Sequence, residues 1–170
     1  MTGAGPEIDG LALRYGGFYG PGTSLGTEPD GQQTVMVRKR QFPLVGNGEG
    51  RWSLIHITDA ASATLAAIEG GAPGVYNVCD DEPAPIKEIL PVLAEAIGAK
   101  KPWHIPAWVG RLVAGELAVA MMQDVRGASN AKAKHELGWQ PYFGSWRQGF
   151  REGLATAPPV ELPNRNGATL

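Results

Sequence analysis

Leu11-Ala12-Leu13-Arg14-Tyr15-Gly16-Gly17-Phe18-Tyr19-Gly20-Pro21-Gly22, residues 11–22, is the stretch on which the reading of the whole chain turns. Its first five residues form a short, mostly apolar run bounded by glycine on both sides. That is the pattern of a buried strand, which Gly16 and Gly17 are expected to end. A few residues on, Gly20-Pro21-Gly22-Thr23-Ser24-Leu25-Gly26 has the outline of a dinucleotide-binding turn. A working turn opens into a helix whose free N–H groups face the pyrophosphate, whereas Thr27-Glu28-Pro29-Asp30-Gly31 carries turn chemistry. The string therefore reads as a loop and not as a cofactor cradle.

Downstream, Thr34 to Arg40 suits a short amphipathic helix, and Gly46-Asn47-Gly48 a tight turn. Trp52 to Ile57 reads as a second strand. It leads into a helix that Thr58 or Asp59 would cap and Gly70-Gly71 would close in a left-handed conformation. Val75 to Val78 is a third strand. Ile86, Ile89, Leu90, Leu93, Ala94 and Ile97 then recur at helical spacing before Gly98, with Pro91 expected to kink the helix. Trp108 to Met122 reads as a further apolar helix, and Ser129 and Ser145 as caps of two short ones. Strands alternating with helices imply an α/β or α+β unit. Residues 157–170 are polar and rich in Pro, Asn and Gly, and are expected to form a disordered tail.

The chain has 170 residues, enough for one core of useful size but cramped for two domains. Its formal net charge of −2, without any basic block, argues against nucleic acid and anionic lipid as partners. A small molecule is the expected partner. Cys79, the one cysteine, cannot form an intramolecular disulfide, and no apolar run is long enough to span a bilayer. The expectation is a cytoplasmic protein.

Four segments carry a resemblance. Leu13 to Gly22 resembles the "LR-aromatic-x-N-x-YGP" segment of the extended short-chain dehydrogenases, the NAD(P)-dependent epimerase/dehydratase group. Gly46-Asn47-Gly48 with Ser53 to Ala61 resembles its "GDG…DFVHVDDVA", and Gly74 to Val78 its "GVYNVG". Lys132 to Pro141 resembles the closing "SKAKRELGWxP". The segments stand in the family's order and span residues 8 to 155. The resemblance implies the C-terminal part of a Rossmann-type α/β fold, with residues 1–156 as the substrate-binding part of an epimerase, dehydratase or reductase.

By the same resemblance, Tyr15 and Gly16 would lie beside the nicotinamide of NAD or NADP. Gly17, Tyr19, Arg51, Trp52 and His56 would face the substrate. Gly17 stands where the family often has a substrate-holding asparagine, and Trp52 where sugar-nucleotide enzymes have a phosphate-gripping arginine, with Arg51 beside it. The implied substrate is a sugar nucleotide or a smaller carbonyl or hydroxyl compound, and the displaced arginine favours the smaller, more apolar one. On their own chemistry, His56 reads as a hydrogen-bonded packing residue, Asp59 as a helix cap and Cys79 as a small buried residue. Asp80-Asp81-Glu82 reads as a solvated loop without a metal. Trp103, Trp108, Met121 and Met122 suit either an apolar pocket or the core.

The family's glycine-rich turn and its Tyr-x-x-x-Lys pair are absent. The residues four after Tyr15, Tyr19, Tyr76 and Tyr142 are Tyr19, Thr23, Asp80 and Trp146. With no lysine one helical turn away, nothing lowers a tyrosine from its usual pKa of about 10 toward a working base. No catalytic residue is assigned, and this chain is expected neither to bind NAD(P) tightly nor to act without an N-terminal Rossmann half. Two readings stay open, an enzyme part that supplies the substrate side and a non-catalytic binding or interaction module. The strand at Leu11 to Tyr15 would then leave Leu11, Leu13 and Tyr15 at an open edge, making the chain marginally stable.

Overall fold

The computed structural model describes residues 10–27 and 31–158. Their strands are β1 (Leu11–Tyr15), β2 (Gly17–Tyr19), β3 (Leu44–Val45), β4 (Arg51–Trp52), β5 (Leu54–His56), β6 (Gly74–Val78), β7 (Ala84–Pro85) and β8 (His104–Ile105). The helices are α1 (Gln32–Arg38), α2 (Ile57–Gly70), α3 (Ile86–Ala96), α4 (Ala107–Gln123), α5 (Ala131–Leu137) and α6 (Trp146–Glu152). The tail expected beyond residue 156 lies, from residue 159 on, outside the described residues.

β1 ends at Tyr15 as expected, but Gly17 does not stay in a turn, for it opens β2 directly after Gly16. β1 pairs in parallel with β6, β2 pairs in parallel with β5, and Gly16 is the point at which the run changes partner. Gly16 N donates to Val78 O and Gly17 N to Ser53 O. A Cβ on Gly16 would sit 2.7 Å from Ser53 O, so the closeness of the neighbouring backbone is what requires glycine there. The second expected strand is likewise two, because β4 pairs antiparallel with β7 while β5 turns to β2.

Three helix ends differ from expectation. α2 is capped by His56, whose Nδ1 accepts from Thr58 N, and Asp59 lies inside the first turn. At its far end Gly71 is extended (φ −69°, ψ 126°) and not left-handed, because the chain runs straight on toward β6. Asn130 occupies the cap position of α5, with Ser129 Oγ accepting from Ala131 N. Ser145 caps α6 as its hydroxyl chemistry predicts, accepting from Arg147 N. α3 runs unbroken through Pro91, and Gly98 after it is left-handed at φ +66°.

Two apolar clusters hold the chain together. The larger joins α3, α6 and β2 through Ile86, Leu90, Leu93, Trp146, Phe150 and Tyr19; the smaller lies under α2, α5 and β6, around Ala63, Tyr76, Val78 and Trp139. α4 is different. It is broken at Gly115 (φ 84°, ψ 170°), and Leu112, Val113 and Leu117 on it are 81%, 75% and 77% exposed.

β1 is paired on one side only among the described residues. Leu11 and Leu13 are half-buried, Tyr15 is exposed, and Ile68 of the adjacent α2 is 77% exposed. The buried strand of the sequence reading is thus an edge strand here. Ile68→Lys is expected to reduce dye binding and light scattering while changing stability by less than about 0.5 kcal/mol. Unchanged scattering would show that this face does not drive association.

Candidate functional site

An open cleft of about 320 Å³ lies where β1 and β6 reach their carboxyl ends. Arg14, Tyr15, Gly16 and Gly17 form one wall, with Asn77 and Cys79 beyond them. Trp52 and Ser53 line it as well, and Met121, Val125, Arg126 and Ala128 form a further wall. That wall is held in place by backbone. Arg51 N donates to Val125 O (2.7 Å), Ala128 N to Ser53 Oγ (2.8 Å) and Trp52 Nε1 to Met121 O (2.7 Å). In parallel α/β sheets, ligands bind beyond the carboxyl ends of strands, where the connections diverge. The change of partner at Gly16 creates such a divergence.

Of the sequence-derived candidates, Tyr15, Gly16, Gly17 and Trp52 meet at this cleft, and Tyr19, His56 and Arg51 do not line it. Tyr19 and His56 are wholly buried, so neither presents a surface to a ligand. Arg51 turns its guanidinium to Pro83 O (2.6 Å). Tyr15 Oη sits 2.6 Å from Thr64 Oγ1, which anchors the ring against α2. Of the four apolar candidates for a pocket, only Met121 lines the cleft. Met122 is core, and Trp103 and Trp108 are 47% and 64% exposed.

Behind the cleft lies a buried polar cluster. His56 Nε2 donates to Gly153 O (2.9 Å) while Nδ1 accepts from Thr58 N, a pattern that requires the neutral ring. Burial lowers its pKa in keeping with that state. Asp59 accepts from Tyr142 N (2.7 Å) and Phe143 N (3.1 Å), tying α2 to the segment before α6. Burial nevertheless raises its pKa. Asp80 is a correction to the solvated-loop reading, for it is 1% exposed and burial pushes its pKa up to about 7. Asp81 and Glu82 do reach the surface, paired with Lys134 and Arg147. Cys79 is buried, and burial raises its thiol to about 11, which leaves it inert as a nucleophile.

The fit of a dinucleotide can be judged from the Gly20 to Gly26 turn. Three of its amides are already used, Gly20 N on Leu25 O, Thr23 N on Gly20 O and Gly26 N on Thr23 O. At the start of α1, Gln33 N and Thr34 N both donate to Ser24 O. A Cβ on Gly20 would meet the His56 ring. This turn is closed on itself and does not fit a pyrophosphate. Among the described residues, no group of three or more His, Cys, Asp or Glu could hold a metal ion. No described helix is long and apolar enough to cross a membrane.

Arg14, Val125 and Arg126 were not singled out by the sequence. Arg14 was hidden inside a strand pattern, and Arg126 stands in a short loop with no motif around it; only folding brings them to one cleft.

Comparison with known proteins agrees with this architecture. The model of the NAD dependent epimerase/dehydratase family matches residues 2–79. A 3-diazoavenalumate denitrifying reductase from a Streptomyces species is 40% identical over 147 residues, 86% of this chain and 48% of the relative. A 2-alkyl-3-oxoalkanoate reductase from Stenotrophomonas maltophilia is 31% identical over 102 residues, 54% of this chain and 28% of the relative. A human epimerase family protein solved with NADPH has the same fold at a TM-score of 0.70 and 21% identity, over 85% of this chain and 48% of that one. The chain spans about half the length of the first of these relatives, or less for the second.

Proposed function

Since this chain belongs to the NAD dependent epimerase/dehydratase family, whose members use NAD(P), we propose that it supplies the substrate-facing side of a reductase. Its substrate would be a small carbonyl or hydroxyl compound, and by itself the chain would turn nothing over. The observation that carries this reading is the cleft, in which Tyr15, Gly16, Gly17 and Trp52 come together at the carboxyl ends of a parallel strand pair. Both curated relatives are named as reductases, which favours reduction over epimerisation. Trp52 walls the cleft while Arg51 is engaged on Pro83 O, so the usual grip on a nucleotide phosphate has no counterpart at this position.

When bound, a reduced nicotinamide supplies the hydride. The residues of this chain would orient the acceptor, Tyr15 and Gly16 on the nicotinamide side and Trp52 beside the substrate. Because no Tyr-x-x-x-Lys pair occurs in the chain, the proton would come from elsewhere in the working enzyme. The same feature keeps a binding module open as a second reading.

Calorimetry of this chain with NADPH and NADH is expected to show no micromolar binding, since the one glycine-rich turn is closed. A chimera that adds the portion of the Streptomyces reductase not spanned by this chain is expected to bind the dinucleotide and oxidise it with a panel of small carbonyl compounds. Micromolar binding to the chain alone would overturn the closed-turn argument. A chimera that binds NADPH and reduces no carbonyl would favour the binding module.

A further inference from the structure

We infer that the cleft selects an organic carboxylate, its anionic group held between Arg14 and Arg126 and its apolar or aromatic body laid along Trp52 and Met121. This rests on the reading of the cleft as a substrate site, and it goes beyond that reading by assigning the charge and shape of the substrate.

The two guanidinium groups carry the argument. Arg14 and Arg126 both line the cleft, and neither makes a side-chain hydrogen bond or ion pair with any described residue. Several other arginines are engaged, although Arg40, away from the cleft, also has no side-chain partner among the described residues. Arg51 donates to Pro83 O, Arg111 pairs with Glu116, and Arg147 pairs with Glu82 and Glu88. Among the described residues that line the cleft there is no carboxylate. Two cationic residues lining one small volume with no acid among its lining repel each other, and an anion placed there relieves that repulsion. Guanidinium presents its donors in a planar fork that matches a carboxylate in a bidentate way.

The rest of the lining describes the body of the ligand. The Trp52 indole is oriented by its bond to Met121 O, and Met121 and Val125 continue the apolar wall. A flat indole beside a pliable thioether suits a planar or alkyl group. The volume of about 320 Å³ stands at the lower end of small-molecule sites, which favours a compact acid over a nucleoside diphosphate.

The test is calorimetry on this chain with three probes, 2-naphthoate, its neutral analogue 2-naphthamide, and UDP as a phosphate-bearing anion. The acid is expected to bind at least about ten-fold more tightly than the amide, the scale of one charge-assisted hydrogen bond. The preference is expected to shrink between about 0.05 and 0.5 M NaCl. Arg14→Gln and Arg126→Gln are each expected to cost about ten-fold for the acid and little for the amide. Both residues are exposed and have no side-chain partner among the described residues, so circular dichroism should show the fold retained. The comparison of acid with amide on the unaltered chain needs no variant. Equal affinity for acid and amide would overturn the anion selectivity and leave the cleft as a substrate site. UDP binding more tightly than 2-naphthoate would replace the carboxylate by a phosphate. Failure of every probe to bind would overturn both this inference and the substrate role of the cleft.

Discussion

Gly149→Ala is expected to destabilise the chain by about 3 kcal/mol, or roughly 6–12 °C in thermal midpoint for a domain of this length. Gly149 lies on the buried face of α6. A Cβ there would fall against the Tyr19 hydroxyl and the Cε2 and Cζ of its ring. Tyr19 cannot retreat, since it is wholly buried on β2, edge-on to His56 at 5.2 Å between ring centroids and to Phe150 at 5.3 Å. Relief would require moving α6 off the strand that carries the cleft. Gly144→Ala is the control, because the nearest atom to its new Cβ would be Asp81 Oδ2 at 3.7 Å. Comparable melts for the two variants would show that α6 does not pack on Tyr19 as described.

The second large effect belongs to Asp80 and depends on pH. Its Oδ1 accepts from Glu82 N (3.2 Å), whereas Oδ2 is buried with no well-formed hydrogen bond among the described residues, the Trp146 amide near the carboxylate only partly offsetting its burial. Burial raises its pKa to about 7 from the ordinary 3.8, and the neighbouring charges of Glu82 and Asp81 add to the rise. Between about pH 4 and pH 7 the folded chain therefore holds a proton that the unfolded chain has lost. Stability attributable to this group is highest below that window and falls as the pH rises through it. Asp80→Asn keeps the acceptor and removes the charge. It is expected to exceed the parent by about 1–3 kcal/mol in urea unfolding at pH 8 and to match it below pH 4. Taking the difference between variant and parent cancels His56, whose lowered pKa acts in the opposite sense by costing stability as the pH falls. A difference independent of pH would show that Asp80 is solvated in the folded chain.

Legibility followed the range of the interaction. α3 was readable because its buried residues, Ile86, Ile89, Leu90 and Leu93, repeat with the period of the helix. The Ser145 cap was readable for a similar reason, its partner being two residues away. Asp59 was misread as a cap because the groups that hold it, Tyr142 N and Phe143 N, are more than eighty residues distant. Within the cleft, Tyr15, Gly16, Gly17 and Trp52 were found through motifs, whereas Arg126 has no local signal.

The sequence by itself determined the family resemblance, the α/β class and the order of its helices and longer strands, since these rest on local periodicity, turn residues and short motifs that survive without knowledge of contacts. Only the tertiary structure decided that the chain from Leu11 to Tyr19 changes strand partner at Gly16, and that Asp80 is buried. It alone also brought Arg14 and Arg126 to one cleft. The physical reason is common to all three. Strand pairing, desolvation and the approach of unpaired charges depend on which distant segments meet, and no short window of residues encodes that meeting.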